Sequence, residues 1–131
     1  NVVVDGYPFF AGEVTAESEF EYSGGNCEIK LDGRFAYADI YVNDVFVKKL
    51  MFTYHCDITN FVKEGTNNLK IKLCNSNRNL LGPHHFEDPE PYGCGPWHFS
   101  LENSWQDEKC TFFRDRYAFV RFGADVSIIT R

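Results

Sequence analysis

The sequence predicts an all-β domain built as a two-sheet β-sandwich, and three observations carry that prediction. Apolar and polar residues alternate with a period of two over short stretches, as in Cys27-Glu28-Ile29-Lys30-Leu31-Asp32, the pattern of strands with one wet face. Residues that favour turns, such as Ser23-Gly24-Gly25-Asn26 and Asn43-Asp44, separate these stretches. Thirteen Phe, seven Tyr and two Trp in 131 residues are more aromatic surface than a helical bundle needs, and they suit the broad half-buried faces of strands. A chain of this length fits one domain, 1–131, able to bury roughly two thirds of the surface its unfolded form exposes.

Taken in order, Val14, Ala16 and Phe20 alternate with polar residues from Glu13 to Tyr22. The Ser-Gly-Gly-Asn turn then predicts a hairpin into a strand whose Cys27, Ile29 and Leu31 share one face, and Asp32-Gly33 ends it. Ala36, Ala38, Ile40 and Val42 face one way and Tyr37, Asp39 and Tyr41 the other, before Asn43-Asp44 turns the chain into Val45-Phe46-Val47 as a second hairpin. Asp57-Ile58-Thr59 reads as a cap leading into one helical turn, with Phe61 and Val62 tucked under the sheet and Gly65 ending the turn. Leu69, Ile71 and Leu73 resume strand alternation while Lys70 and Lys72 face water. A loop over 78–98, rich in His, Pro and aromatics, comes next, with a short strand expected from Trp97 to Leu101. Tyr117, Phe119 and Arg121 alternate with Ala118, Val120 and Phe122 in a run apolar on both faces, which predicts a strand in mid-sheet. A last strand runs from Ala124 to Thr130. About eight short strands joined by short turns argue for the sandwich.

Thirteen basic against nineteen acidic residues give a net charge of −6 with no basic stripe, which argues against a nucleic-acid partner. No apolar run reaches the roughly 20 residues of a membrane-spanning helix, so no membrane partner is expected. Five cysteines, odd in number and without a C-x-x-C pair, suggest neither a disulfide framework nor a zinc ribbon. Cys27 and Cys74 read as small core hydrophobes, and unpaired thiols favour a reducing, cytoplasmic setting. Beginning at Asn1 without a signal-like segment, the chain reads as a domain excised from a larger protein.

Two strings, YADIYVNDVFVKKL and DITNFVKEGTNNLKIKL, resemble the sugar-binding-like jelly-roll domains, galactose-binding-like in fold, of bacterial glycoside hydrolases in the β-galactosidase and β-glucuronidase group. That family carries a V-N-G hairpin and an F-D-I-T-x-x-L-K-x-G-x-N-x-L segment. Here Asp44 replaces the usual Gly, and Cys56 stands where an aromatic or apolar residue precedes the Asp. The stretch RNLLGPHH from Arg78 to His85, Tyr92-Gly93-Cys94-Gly95-Pro96, and Phe119-Val120-Arg121-Phe122-Gly123 look like the terminal accessory domain of large bacterial proteins of this kind. The resemblance implies a jelly roll that is non-catalytic, the hydrolytic carboxylates lying in another domain of the parent chain.

The 78–98 loop holds the candidate site: Arg78, His84, His85, Tyr92 and Trp97. As a sugar subsite, an aromatic ring would pack on the C–H face of a pyranose while His or Arg bonds its hydroxyls. As a structural loop, Pro83, Pro89, Pro91 and Pro96 would fix its path, Trp97 would fill the core edge, and Arg78 and His84 would tie down loop carbonyls. His84, His85, Glu87, Asp88, Glu90 and His98 lie close in sequence, but adjacent histidines in extended chain point to opposite sides and zinc spacing is missing. No cofactor is expected; a structural calcium on loop carboxylates and carbonyls suits the loop better than zinc, though no EF-hand spacing is present. Glu87, Asp88 and Glu90 are the only acidic cluster beside both aromatics and His. No G-x-S-x-G, Cys-His signature or phosphate loop is present, so the domain alone reads as non-catalytic. Trp105, Phe112, Phe113 and Tyr117 form a candidate apolar patch for a catalytic barrel or a sister protomer. The expected partners are therefore carbohydrate, the catalytic domain of the parent chain, or both.

Overall fold

The computed structural model describes residues 1–85 and 115–131. They fall into two compact units, one of 12–75 with 122–131, the other of 1–11 with 76–121.

The first unit holds the β-structure. Its strands are β1 (Glu13–Tyr22), β2 (Cys27–Arg34), β3 (Tyr37–Val42), β4 (Val45–Leu50), β5 (His55–Asp57), β6 (Gly65–Cys74) and β7 (Gly123–Thr130). They form a four-stranded sheet in the order β1-β6-β3-β4 and a three-stranded sheet in the order β5-β2-β7, antiparallel throughout. The all-β class and the two sheets are those the alternation predicts. Cys27, Ile29 and Leu31 of β2, Ala38, Ile40 and Val42 of β3, and Leu69, Ile71 and Leu73 of β6 are all buried, joined by Leu50, Cys56, Ile58 and Phe122. Each fully buried Ile or Leu contributes on the order of 1.5–3 kcal/mol. The opposite face of the larger sheet carries ion pairs: Lys70 Nζ lies 3.1 Å from Glu17 and 3.3 Å from Asp44, and Lys49 Nζ 2.7 Å from Asp39.

Two connections depart from the sequence prediction. The turn at 23–26 does not close a hairpin, because β1 pairs with β6 whereas β2 pairs with β5 and β7. Asn26 instead exchanges backbone bonds with Arg131 at 2.8 and 2.9 Å, so the turn carries the chain from one sheet to the other. The run from Tyr117 to Phe122 is not a strand; its backbone bonds go to a side chain and a loop, as shown below, and only Phe122 of these residues is buried. The strand expected from Trp97 to Leu101 lies outside the described residues. Of the two cysteines read as core, Cys27 is buried and Cys74 is half-buried, while Cys56 is a second buried thiol. Burial pushes the Cys27 and Cys56 thiols up from their ordinary value.

The Asn43-Asp44 turn has positive φ at both residues, 51° and 64°, the left-handed pair that a two-residue hairpin requires. Its Asn43 does more than turn the chain. The Asn43 Nδ2 donates to Asn67 Oδ1 at 2.8 Å and to the Phe61 carbonyl at 3.1 Å, and its Oδ1 accepts from the Asn68 N–H at 3.1 Å. Asn67 is buried; its Nδ2 donates to the Lys63 and Gly65 carbonyls at 2.7 and 2.9 Å, and its Oδ1 accepts from the Lys63 N–H at 2.9 Å. This amide pair ties the β3–β4 turn, the 61–65 connection and the start of β6 together.

Ahead of that connection, a 3₁₀ turn at Thr59–Phe61 replaces the longer helical turn expected. Asp57 Oδ1 accepts from the Thr59 N–H at 2.8 Å and from its hydroxyl at 2.6 Å, and Thr59 Oγ1 accepts from the Cys27 N–H at 2.9 Å. The two Thr59 bonds hold the Asp57 carboxyl below its ordinary value.

Replacing Asn67 by Ala removes four bonds and leaves the part-buried backbone groups of Lys63 and Gly65 without their amide partner, so urea unfolding should show a loss of about 2 kcal/mol. The depressed Asp57 carboxyl stabilises the fold above the ordinary carboxylate range near about pH 4, and that contribution is lost as pH falls through the lower folded value. The stability gap between wild type and Thr59→Val should therefore hold from neutral pH down to about pH 5 and narrow below it in thermal melts.

Candidate functional site

The candidate residues of known position all lie in the second unit. A single helical turn, α1 (Arg78–Leu81), follows Asn77 and ends at Gly82, whose φ of 90° and N–H bond to the Arg78 carbonyl at 2.9 Å close it. Arg78 opens this turn and is half-buried. Asn79 is buried and uses both ends of its amide on Val120: Nδ2 donates to the Val120 carbonyl at 2.7 Å, and Oδ1 accepts from the Val120 N–H at 2.8 Å. A side-chain amide thus stands where a neighbouring strand would be. This is why the alternating run at 117–122 lies extended outside either sheet.

His84 and His85 follow the turn. The His84 ring Nε2 lies 2.9 Å from the Asn79 carbonyl, and the His84 carbonyl accepts from the Ala118 N–H at 2.5 Å. The His84 ring thus meets a carbonyl of the helical turn α1. His85 is buried, with its ring 4.5 Å from that of Tyr117.

Around these histidines sits an aromatic cluster. Tyr117 and Phe119 point the same way from an extended segment and stack with ring centres 5.4 Å apart and planes 7° from parallel. Phe9 presents its ring at nearly a right angle to both, at 5.6 and 5.0 Å, and to His84 at 5.5 Å. Such edge-to-face and offset contacts add on the order of 1 kcal/mol each beyond area burial and hold the rings in place. Yet Tyr117 remains 53% exposed and Phe9 44% exposed. The arrangement offers a fixed aromatic surface beside imidazole groups, suited chemically to an apolar ligand face with polar edges.

The structure thus brings His84 and His85 together at Tyr117, and places Arg78 at the far end of the same short turn. Tyr92 and Trp97 lie outside the described residues, as do Trp105, Phe112 and Phe113 and the acidic run at Glu87, Asp88 and Glu90. Among the described residues no three side chains capable of holding a metal converge. Sequence reading did not find Phe9 or Asn79 as parts of this site. Phe9 stands in no periodic pattern, and Asn79 is visible only as a member of the string that opens with Arg78.

No family model matches the chain, and no curated protein matches it. Solved structures do, and those compared are glycoside hydrolases. A rhamnosidase from Novosphingobium is 23% identical with a TM-score of 0.50, over 92% of this chain and 11% of its own. An FMN-binding β-glucuronidase from Facaelibacterium prausnitzii is 15% identical, also with a TM-score of 0.50, over 92% of this chain and 16% of its own. A glycosyl hydrolase family 2 member from Bacteroides cellulosilyticus is 27% identical with a TM-score of 0.45, over 50% of this chain and 9% of its own. The first two show that this chain shares the fold of a segment within large hydrolases, of which it spans 11% and 16%.

Asn79→Leu keeps the branched heavy-atom skeleton of the side chain and removes both bonds to Val120. Amide exchange at Ala118 and Val120 should then accelerate by at least about tenfold, while the amides of β2 and β6 keep their wild-type protection.

Proposed function

We propose that this chain is a non-catalytic accessory domain, galactose-binding-like, of a larger bacterial glycoside hydrolase, and that it holds carbohydrate through the aromatic surface of Tyr117 and Phe9 together with the loop that follows His85. The observation that carries this reading is Tyr117, a ring braced by Phe119, Phe9 and His85 and still more than half exposed. A braced ring loses little freedom when a sugar packs against it, which makes an apolar stacking contact effective at low cost in ordering. Arg78, His84, His85, Tyr92 and Trp97 complete the proposed subsite. The fold shared with segments of hydrolases supports the parent's reaction class.

A second reading has its own observation. Asn79 and His84 spend their side-chain polar groups on the Val120 backbone and the Asn79 carbonyl, which leaves fewer donors for a sugar. In that reading the domain braces the catalytic domain and has no sugar affinity.

A glycan array read at millimolar sensitivity separates the two. Under the carbohydrate reading, Tyr117→Ala and Trp97→Ala each abolish a selective signal; Trp97→Ala moves the thermal midpoint by no more than about 3 °C, whereas Tyr117→Ala lowers it further through its lost ring contacts, with circular dichroism confirming that it folds. Silence of the wild-type domain across the array overturns it, and deletion of the domain should then lower the thermal midpoint of the parent enzyme.

A further inference from the structure

Among the described residues the sandwich is open along one side. β1 ends the larger sheet and β7 ends the smaller, and between these two edges lies a cavity of about 230 Å³ lined by Ala16, Ser18, Leu69, Ile71, Val126 and Ile128. The ladder sets these side chains facing inward: Ala16 pairs with Ile71 and Ser18 with Leu69, and across the gap Val126 pairs with Leu31 and Ile128 with Ile29. Leu69, Ile71, Leu31 and Ile29 are buried, whereas Ala16 and Ser18 are exposed and Val126 is 44% exposed. An inward face that stays wet at β1 and β7 marks a place where the core lacks a covering element. The space suits about two branched aliphatic side chains at interior packing density.

The free edge of β1 sets what could supply them. Its outward face carries Glu13, Glu17, Glu19 and Glu21 at alternate positions. On the paired side these meet β6, whose Leu69-Lys70-Ile71-Lys72-Leu73 sends aliphatic groups inward and lysines outward. Lys70 reaches Glu17 at 3.1 Å and Lys72 reaches Glu13 at 3.9 Å, and Glu17 and Asp44 hold the Lys70 ammonium above its ordinary value. Among the described residues the other edge of β1 has no strand beside it, so its backbone groups there can pair with an added chain.

We propose that this edge is a docking site for an extended polypeptide segment of alternating apolar and basic residues, which adds to the larger sheet beside β1. Its apolar side chains fill the gap over Ala16, Ser18, Val126 and Ile128, and its basic side chains lie beside the glutamates. A second copy of this chain is the wrong partner, because β1 against β1 would set Glu beside Glu, and like charges directly opposite are destabilising. The acidic row thus refuses self-association while admitting a basic strand. This interaction is independent of the carbohydrate reading and uses other residues.

The test is an NMR titration of the labelled full chain with a synthetic peptide of alternating valine and lysine, about eight residues long to match a typical strand. Expected are shifts confined to the amides of β1 and to Val126 and Ile128, and affinity that weakens as salt rises. Glu19→Lys should weaken binding by about fivefold through a reversed cross-strand charge. Val126→Asp should weaken it by about tenfold or more by placing a carboxylate against the incoming apolar face. Both positions are exposed, and unchanged circular dichroism confirms that each variant folds. The proposal is overturned by no binding, by shifts elsewhere, by equal affinity for a valine–glutamate peptide or for the same residues in two blocks, or by self-association through β1.

Discussion

The amide pair of half-buried Asn43 and buried Asn67 is the constraint on which the sheet depends. Asn43 occupies a left-handed turn position, which among non-glycine residues Asn tolerates best. A glycine there would make the same turn and lose every bond its side chain makes. Through those bonds the turn between β3 and β4 is fixed to the first residues of β6, with the Asn43 N–H adding a bond to the Asn68 carbonyl at 2.9 Å. The register that follows, Val42 against Leu69 and Ile40 against Ile71, puts every buried aliphatic of both strands on one face. A slip of one residue would send all of them to water.

Much of this architecture is legible in the residues themselves. Period-two alternation located the strands because one face of each is wet, and Asn43-Asp44 announced its turn because few residue pairs accept positive φ twice. What alternation cannot state is the partner. Ser23-Gly24-Gly25-Asn26 has hairpin chemistry, yet the strands it joins belong to different sheets, a choice made by the distant segments Gly65–Cys74 and Gly123–Thr130. The run at Tyr117 to Phe122 shows the reverse failure. Its composition is that of a central strand, but the buried Asn79 amide takes both Val120 backbone bonds and the His84 carbonyl takes the Ala118 N–H.

The same amide shapes the candidate site. Of the five residues singled out by sequence, His84 and His85 meet at Tyr117 and Arg78 opens the turn that carries Asn79. The loop's composition pointed to this region, and Tyr117 stands out in the sequence only as part of an apolar patch; its meeting with Phe9 was hidden because the two come from chain segments more than a hundred residues apart in the numbering. Polar side chains here serve the backbone, and aromatic ones face outward. That division separates holding the site from presenting it.

Strand pairing also bears on how the chain reaches this state. β1 pairs with β6, Glu13 opposite Cys74, and β2 pairs with β7, Cys27 opposite Thr130. Closing such long loops must precede the contacts that reward it, which places the protein among slow-folding topologies. During synthesis β2 emerges well before β7, with Cys27, Ile29 and Leu31 on its core face, and must wait for the whole of the segment 35–122 before β7 can cover its flank. For that interval β5 is the partner nearest in sequence, offering only Cys56 opposite Ile29 with its two neighbours. The nascent chain is thus most exposed to mispairing at the strand that becomes the centre of its smaller sheet.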